Sequence, residues 1–359
     1  MRLTLDDTET DGLAGFPDLA HQPPHVRVLL LLLLRRGADA VTLAAELGIA
    51  DHLAERPRTA SELAELTGCH PESLRRILLT AAALGIFAEL PDGRFILTAD
   101  AECLRTDAEV SIGDLAVHFG NFSALTSLDE LRQTVRTGVD PFQRNYGKTM
   151  YEVLPDHPEL SGPFNRAMTQ TVRMSAEWVA NFGDFQRFTT VADLGGGQGR
   201  LIGEIVRKNP GLRGMVLDFP HVVKGAPDLL ASLGVADRVT VVPGDFRDGL
   251  PAGADAYIFH RVLGAWEDHQ IAAALRRVHS EIVDQPHARL IIAEPFTAPP
   301  NRFHPGRLFD IEVMLNSGSR LRAEAEWMAL LAAAGFEFVS THEAGPMVTM
   351  LEVRPVVSS

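Results

Sequence analysis

The sequence predicts an α/β protein in two parts, a winged-helix unit followed by a seven-stranded, mostly parallel sheet. After residue 190, short apolar runs alternate with helical patterns, which is typical of parallel strands whose two faces are covered by helices. Before residue 105, helical periodicity dominates and a hairpin follows it. We therefore divide the chain into an N-terminal domain of residues 1–105 and a second domain of residues 106–359, which begins with a helical segment at 109–185.

Seven apolar runs in the second domain are predicted strands. They cover residues 190–194, 214–218, 238–242, 255–260, 288–293, 336–341 and 347–353. Helix-length segments separate the first five, so we expect these strands to lie parallel. Gly345-Pro346 lies between the last two, and so short a connection predicts an antiparallel pair.

The N-terminal domain has the element order of a winged helix. A helical pattern covers residues 38–55, a second helix follows Thr59, and a third begins at Pro71, where proline suits the first turn. A Pro-Asp-Gly turn then joins two predicted strands, Phe87–Leu90 and Arg94–Thr98. Three helices followed by a hairpin predict a winged helix.

The run Val26–Leu34 is markedly apolar but contains Arg27. It ends at Arg35-Arg36, well short of the roughly 20 residues that a membrane-spanning helix needs. We therefore expect no membrane partner, and we interpret the run as a buried helix or as a helix at a subunit interface.

Composition limits the partners. The formal net charge is −14, which argues against nucleic acid as a partner. A winged helix still raises the alternative of a DNA-binding regulator, with Arg75 and Arg76 on a recognition helix, but two arginines are a poor electrostatic footprint. Cys69 and Cys103 predict two reduced thiols and no metal cluster. The acidic N-terminus lacks the basic flank of a signal peptide, so we expect a cytoplasmic protein.

Residues 191–199 contain the most informative motif. Asp193 ends an apolar strand, and glycines follow at Gly195, Gly197 and Gly199 before a helical run. Glycines in such a turn let a ligand approach the backbone closely. The dinucleotide fingerprint would need its last glycine at Arg200, so that spacing fails. A carboxylate at this place repels a pyrophosphate but suits a cationic ligand, such as the ammonium and sulfonium groups of S-adenosylmethionine.

Two further strand ends carry acids. Asp218 ends the second strand, where an acid can bind both hydroxyls of a ribose. Asp245 and Phe246 follow the third strand, where an acid can accept from an adenine amine and an aromatic ring can stack on the base. Because three acids end three successive strands beside a glycine turn, the sequence predicts a nucleoside-binding site.

The chain resembles the small-molecule O-methyltransferases of plant phenolic and bacterial polyketide pathways. The resemblance runs from about Val26 to Pro355 and includes Leu47-Gly-Ile-Ala-Asp-His-Leu, Leu97-Thr98, Asp193-x-Gly-x-Gly-x-Gly199, Asp218-Phe-Pro-His-Val, Gly244-Asp-Phe and Ala332-Ala-Ala-Gly-Phe336. It implies a Rossmann-like methyltransferase sheet, an N-terminal winged-helix dimerisation domain, a homodimer and S-adenosyl-L-methionine as cofactor. It assigns Gly195, Asp218, Asp245, Phe246 and His260 to the cofactor site, and we add Asp193, Gly197, Phe219 and Arg261 as further cofactor-site candidates.

The family's catalytic residues are where the chain departs from the resemblance. Many members have a His-Asp pair with histidine as general base, and the matching positions here are Gly264 and Ala265. Of the two glutamates that orient this histidine, the first matches Glu294 and the second matches Leu321. A branch acting on anthracycline-type polyketides shares both departures. It includes methyltransferases that work by positioning and a relative that binds the cofactor but hydroxylates its substrate.

We therefore expect methyl transfer to an oxygen of an aromatic or polyketide-like metabolite, by positioning and without a histidine base. A phenol of pKa about 10 is short of ionisation by roughly 4 kcal/mol at pH 7, and orientation supplies roughly 7–11 kcal/mol. Glu294 is the catalytic candidate, and His260 is an alternative base. Arg261 either pairs with Glu294 or holds an anionic substrate. Three positions either line the substrate pocket or pack in the core, namely Met168, Trp266 and Asn316.

The main alternative is a cofactor-binding homologue with other chemistry, such as hydroxylation, decarboxylation or cyclisation, because a fold does not fix a reaction.

Overall fold

The computed structural model describes residues 19–121, 127–264, 266–285, 287–298 and 300–356. The chain forms two compact units. The first comprises Met1–Ala124 and Leu154–Thr171, and the second comprises Leu125–Val153 and Val172–Ser359. The first unit thus continues beyond residue 105, and the domain boundary that we place there stays a prediction.

The first unit contains a winged helix. Its helices are α1 (Pro24–Glu46), α2 (Ile49–Glu55), α3 (Ala60–Thr67), α4 (Pro71–Ala83) and α5 (Gly113–Asn121). Its strands are β1 (Arg58–Thr59), β2 (Phe87–Glu89) and β3 (Arg94–Leu97), which form an antiparallel sheet in the order β1-β3-β2. The predicted order of helices followed by a hairpin is confirmed, with β1 as an additional strand.

Local sequence sets the helix boundaries in this unit. The Thr59 side chain accepts a hydrogen bond from the Glu62 N–H, and the Glu62 carboxylate accepts one from the Thr59 N–H, so α3 begins at a capping box. The continuous helix expected over residues 38–55 is wrong. Gly48 has φ 62°, a left-handed conformation that separates α1 from α2 and that glycine adopts without steric cost.

Helix α1 presents its apolar run to solvent. More than half of each of five side chains is exposed, those of Val28, Leu29, Leu31, Leu32 and Leu33. The expectation of a buried helix is therefore wrong within one chain, and the subunit-interface alternative remains. No helix in the described ranges is long and apolar enough to cross a membrane.

The second unit contains the large sheet. Its helices are α6 (Leu128–Thr137), α7 (Pro141–Tyr146), α8 (Met150–Val153), the end of α9 (Pro158–Phe182), α10 (Arg200–Lys208), α11 (Ala226–Ser232), α12 (Asp268–Ile282), α13 (Pro305–Ser317) and α14 (Glu324–Ala333). Its strands are β4 (Thr190–Leu194), β5 (Arg213–Asp218), β6 (Val239–Pro243), β7 (Ala256–His260), β8 (Arg289–Glu294), β9 (Phe296–Thr297), β10 (Arg322–Ala323), β11 (Phe336–Gly345) and β12 (Val348–Pro355).

Within the described residues the large sheet has seven strands, in the order β11-β12-β8-β7-β4-β5-β6. The five strands from β6 to β8 in this order are parallel, and β11 and β12 pair antiparallel, as predicted. Apolar clusters pack on both faces, with Val191 and Ile258 on one and Ala192 and Phe259 on the other. Because both faces are covered, the strands are nearly continuous apolar runs.

The parallel strands place their carboxyl ends along one edge of the sheet. Leu194, Asp218, Pro243, His260 and Glu294 are the last residues of β4, β5, β6, β7 and β8. We call this the carboxyl edge. Ligands of open α/β sheets bind at this edge, so the topology brings the predicted site residues of the second unit together.

Candidate functional site

The turn after β4 needs glycine for conformational reasons. Gly195, Gly197 and Gly199 have φ values of 73°, 61° and 84°, in the left-handed region. The Gly195 N–H donates to the Leu217 carbonyl at 2.8 Å, which fastens the turn to β5. A Cβ on Gly195 would lie 2.9 Å from a methyl group of Val262. Any larger residue there would strain the backbone and also clash with the segment after β7.

Asp193 lies directly beneath this turn. Its side chain is buried, and neither carboxylate oxygen has a hydrogen-bond partner among the described residues. A Cβ on Gly196 would lie 2.5 Å from the Asp193 Cγ. Burial, together with the nearby Asp218, raises the pKa of Asp193 to about 7, although the Ile202 N–H on α10 acts in the opposite direction. A buried ionised carboxylate is unfavourable unless a positive charge lies beside it, and a positively charged ligand would supply that charge.

Asp218 is held by the backbone on both oxygens. One oxygen accepts from the Gly197 N–H at 2.8 Å, and the other accepts from the Phe219 N–H at 2.7 Å. Each carboxylate oxygen has a second lone pair, so the group can still accept from ribose hydroxyls. The Phe219 ring is partly exposed and stacks on His221 at 5.8 Å between centroids.

Asp245 and Phe246 follow β6 as expected, but each has a partner that the sequence did not reveal. The Arg247 Nε lies 3.0 and 2.9 Å from the two Asp245 oxygens, and this pairing lowers the pKa of Asp245. Phe246 packs edge-on against Phe259 and stacks on Trp266 at 5.7 Å between centroids. The structure therefore places Trp266, a candidate substrate residue, against a candidate cofactor residue.

His260 is the last residue of β7, and Arg261 follows it. The His260 Nε2 lies 2.9 Å from the Ser175 Oγ, and burial next to Arg261 lowers the pKa of His260 to about 3. So low a pKa makes the imidazole a poor base, which argues against His260 as the proton acceptor. Arg261 has φ 57°, which is rare for a residue other than glycine and is typical of functional sites.

Glu294 ends β8 and is 1% exposed. One of its oxygens, Oε1, accepts from the N–H groups of Val262 and Leu263 at 2.7 and 2.8 Å. Burial raises the pKa of Glu294 to about 7, although these hydrogen bonds, Arg261 and the Gly264 N–H act in the opposite direction. A Cβ on Gly264 would lie 2.8 Å from the other oxygen, Oε2.

The remaining candidate positions lie in different parts of the structure. Leu321 is buried, so no carboxylate faces Glu294 from that position. Asn316 lies on α13, and its buried Oδ1 has no hydrogen-bond partner among the described residues. Such an atom is available to accept a hydrogen bond from a ligand. Met168 lies on the part of α9 that belongs to the first unit. Ala265 lies outside the described residues.

Family models match both parts of the chain. An O-methyltransferase domain matches residues 128–337, and an O-methyltransferase dimerisation domain matches residues 36–107. The chain belongs to the O-methyltransferase family. The resemblance seen in the sequence is thereby confirmed, as is the α/β fold with a methyltransferase sheet and an N-terminal dimerisation domain.

Individual relatives agree with the family. The chain is 34% identical over 312 residues to 8-amino-8-demethylriboflavin N,N-dimethyltransferase of Streptomyces davaonensis, which covers 86% of this chain and 89% of that one. It is 34% identical over 321 residues to mitomycin biosynthesis 6-O-methyltransferase of Streptomyces lavendulae, with 88% and 90% covered. The crystal structure of LaPhzM matches with a TM-score of 0.80 and 31% identity, over 93% of this chain and 100% of that one.

The anthracycline-type branch is among the relatives. Aclacinomycin 10-hydroxylase of Streptomyces purpurascens is 27% identical over 317 residues, with 85% of this chain and 83% of that one covered. A neocarzinostatin O-methyltransferase solved with S-adenosylmethionine and a hydroxynaphthoic acid matches with a TM-score of 0.69 and 29% identity, covering 89% of this chain and 96% of that one. This family uses S-adenosylmethionine, and the chain is an S-adenosylmethionine-dependent methyltransferase. The unpaired Asp193 and the left-handed glycine turn fit a cationic nucleoside cofactor.

Proposed function

We propose that this enzyme transfers a methyl group to a hydroxyl of an aromatic or polyketide-like metabolite, and that it does so without a histidine base. The observation that carries the proposal is the buried Asp193 carboxylate, which has no hydrogen-bond partner beneath the glycine turn. Asp193, Gly195, Gly197 and Asp218 would hold the cofactor, which supplies an electrophilic methyl group when bound. The proposed contacts extend along the carboxyl edge to Phe219, Asp245, Phe246, His260 and Arg261.

The substrate class follows from the relatives and from the pocket residues. The relatives' names refer to a riboflavin derivative, to mitomycin and to a naphthoic acid, all of which contain unsaturated ring systems. The unpartnered Asn316 Oδ1 would accept from a polar group of such a substrate. Met168 and Trp266 remain proposed lining residues. The first relative is named for transfer to nitrogen, and we place transfer here on oxygen because the matching family model is an O-methyltransferase.

The chemistry tolerates the missing histidine. Orientation of the hydroxyl against the methyl group contributes roughly 7–11 kcal/mol, which exceeds the roughly 4 kcal/mol needed to ionise a phenol at pH 7. The positioning groups would be the fixed β7 turn at Arg261 and the helix α13, which carries Asn316. Arg261 would attract an anionic substrate through its guanidinium, whose positive charge also acts on the nearby Glu294.

A second candidate is non-methyl chemistry on the same scaffold. Gly264 and Leu321 stand where the family has a base and its orienting glutamate, and one relative is named as a hydroxylase. This alternative predicts a cofactor that binds but does not transfer its methyl group.

The test is a screen with methyl-labelled S-adenosylmethionine against naphthols, hydroxynaphthoquinones and hydroxylated phenazines. The proposal expects labelled methyl in at least one product, and Asp218→Asn should lose most of this transfer because the ribose loses a charged acceptor. Asp228→Asn is the matched control, because Asp228 is exposed on α11. Cofactor binding without labelled product across the panel would contradict the proposal.

We also propose a homodimer formed through residues 23–105. The exposed stripe from Val28 to Leu33 supports it, because contiguous apolar surface of this kind marks interfaces. Light scattering should give about twice the chain mass of 39.1 kDa, and Leu32→Asp should shift the mass towards that of one chain. A mass of one chain for the unmodified protein at micromolar concentration would exclude the dimer.

Two further expectations belong to the proposal. Nucleic acid should not be a partner, because the chain carries a net charge of −14 and Arg75 pairs with Glu89. A gel shift with random DNA at low salt tests this point. A cytoplasmic location would agree with the two unpaired cysteines, Cys69 and Cys103, because a reducing compartment keeps thiols free.

A further inference from the structure

The absence of a side chain at Gly264 leaves a space beside the Glu294 carboxylate. A side chain leaving Gly264 would pass 2.8 Å from Glu294 Oε2 and 3.6 Å from its Cδ. Chain neighbours aside, no other heavy atom of the described residues lies within 4 Å of that point. The space that a larger residue would fill therefore borders on a carboxylate oxygen at hydrogen-bond distance.

The two oxygens of Glu294 have different surroundings. Oε1 accepts from the Val262 and Leu263 N–H groups, so the carboxylate is fixed in position by the backbone after β7. Oε2 faces Gly264, where a histidine of the family pattern would begin. The Gly264 N–H also acts on the carboxylate, so the backbone after β7 holds it at three successive residues. A fixed orientation and open space beside Oε2 are the two properties that a general base requires.

We propose that Glu294 is the general base of the methyl transfer, accepting the proton of a substrate hydroxyl that lies beside Gly264. The inference rests on the proposed function, because it requires an acceptor with an O–H group. The O–H bond breaks and its proton passes to Oε2, while the hydroxyl oxygen forms a bond to the methyl carbon. The C–S bond breaks and its electron pair stays on sulfur, giving S-adenosylhomocysteine. Glu294 afterwards returns the proton to water.

Burial makes Glu294 a better base than an ordinary carboxylate. The pKa of its side chain is raised from 4.5 to about 7, and a base is most effective when its pKa is near the working pH. Among the described residues, Arg261 is the charged group whose field acts on Glu294, and it lowers the pKa, as do the N–H groups after β7. His260, with a pKa of about 3, does not compete for the proton.

The test compares the pH dependence of kcat/KM in the unmodified enzyme and in Glu294→Gln. Glutamine retains an oxygen for the Val262 and Leu263 N–H groups, so the backbone and the affinity for S-adenosylhomocysteine should be preserved. With 1-naphthol as acceptor, the unmodified enzyme should gain activity as pH rises through about 7, the pKa of Glu294. Glu294→Gln should lose this limb and roughly 100-fold or more in rate.

A second acceptor separates a base from a structural residue. The hydroxyl of 2-hydroxy-1,4-naphthoquinone is already ionised at neutral pH, so Glu294→Gln should methylate it nearly as fast as the unmodified enzyme does. Equal losses on both acceptors would assign Glu294 a structural role and overturn the proposal.

Glu312 on α13 is the rival carboxyl, because burial also raises its pKa. Glu312→Gln should keep the pH limb. If the limb disappears in Glu312→Gln and remains in Glu294→Gln, Glu294 is not the base. Unchanged methyl transfer to 1-naphthol by Glu294→Gln would overturn the base and leave the proposed function intact. Absence of labelled product from the unmodified enzyme on both acceptors would overturn both.

Discussion

The carboxyl edge of the sheet has two sides, and their titratable side chains are held in different ways. On the cofactor side, formed by β4, β5 and β6, Asp218 is held by backbone N–H groups and Asp245 by an arginine, whereas Asp193 is buried and its pKa is raised to about 7. On the reaction side, formed by β7 and β8, His260 and Glu294 are buried, and their pKa values are moved to about 3 and about 7. The cofactor side therefore combines two carboxylates fixed by donors with one buried carboxylate, whereas both titratable groups at the strand ends of the reaction side are buried.

The two sides also touch. Val262 follows β7 and donates its N–H to Glu294, and its side chain limits the space at Gly195 in the cofactor turn. A change in the glycine turn can therefore disturb the segment that orients Glu294. Variants on one side test whether the division between binding and proton transfer holds.

The largest effect should come from Asp218→Ala. The variant removes the acceptor for the Gly197 and Phe219 N–H groups and for the proposed ribose hydroxyls. Hydrogen bonds to a charged group contribute about 1.5–3 kcal/mol each, so affinity for S-adenosylmethionine should fall by roughly 100-fold or more. Calorimetry checks this, with Asp228→Ala as a control. Undiminished affinity would remove Asp218 from the cofactor site.

Gly195→Ala should have the next largest effect. A left-handed conformation costs a residue with a Cβ about 1–2 kcal/mol, and the contact with Val262 adds to this cost. The free energy of unfolding in urea should therefore fall by roughly 2 kcal/mol. Gly211→Ala is the matched control, since a Cβ there meets no atom within 4 Å, and it should change stability little. Equal stability of the two variants would show that the turn tolerates a side chain.

A smaller, pH-dependent effect concerns Asp193. Its pKa of about 7 means that the free protein carries it mostly protonated at pH 6, and a cationic ligand favours the ionised form. Affinity for S-adenosylmethionine should rise roughly fivefold to tenfold from pH 6 to 7.5, with proton uptake by the buffer. Asp193→Asn should remove this dependence. Binding that is independent of pH in the unmodified protein would separate Asp193 from the ligand's charge.

The raised pKa of Asp193 also determines how its contribution to the free energy of unfolding changes with pH. In the folded state Asp193 holds its proton more tightly than in the unfolded chain, so its stabilising contribution is complete below the unfolded pKa near 4. That contribution is lost as pH rises through about 7.

Gly264→His should give little or no gain in activity, because its side chain would fill the space proposed for the substrate hydroxyl. The new Cβ would lie 2.8 Å from Glu294 Oε2, and the buried Leu321 offers no carboxylate to orient an imidazole. Activity on 1-naphthol should rise by less than about threefold, because an unoriented imidazole is a poor base. Only the double variant with Leu321→Glu should regain a histidine-dependent rate. A large gain from Gly264→His alone would contradict this account of the reaction side.

The sequence predicted the sheet well, because strands and the glycine turn depend on local patterns. Asp193, Gly195 and Asp218 were assigned from strand ends and spacing, and the three left-handed glycines explain why the motif needs that residue type. The break at Gly48 was missed, because apolar spacing continues through a left-handed glycine unchanged. Periodicity reports which face is apolar and does not report where the backbone turns.

The reaction side was less predictable. The absence of a histidine at Gly264 was evident from the sequence, but the position of Glu294 Oε2 beside it was not. The pairing of Asp245 with Arg247 and the stacking of Trp266 on Phe246 were also missed. These contacts depend on side-chain packing between elements, which no single segment encodes.

The central claim is that methyl transfer is retained although the histidine base is absent. The most direct measurement follows an accepted aromatic substrate with S-adenosylmethionine and, in parallel, with S-adenosylhomocysteine, which has no methyl group to give. The account predicts one S-adenosylhomocysteine formed per methylated product and no product in the parallel reaction. Full conversion of the substrate with S-adenosylhomocysteine would contradict it and would assign the scaffold to other chemistry.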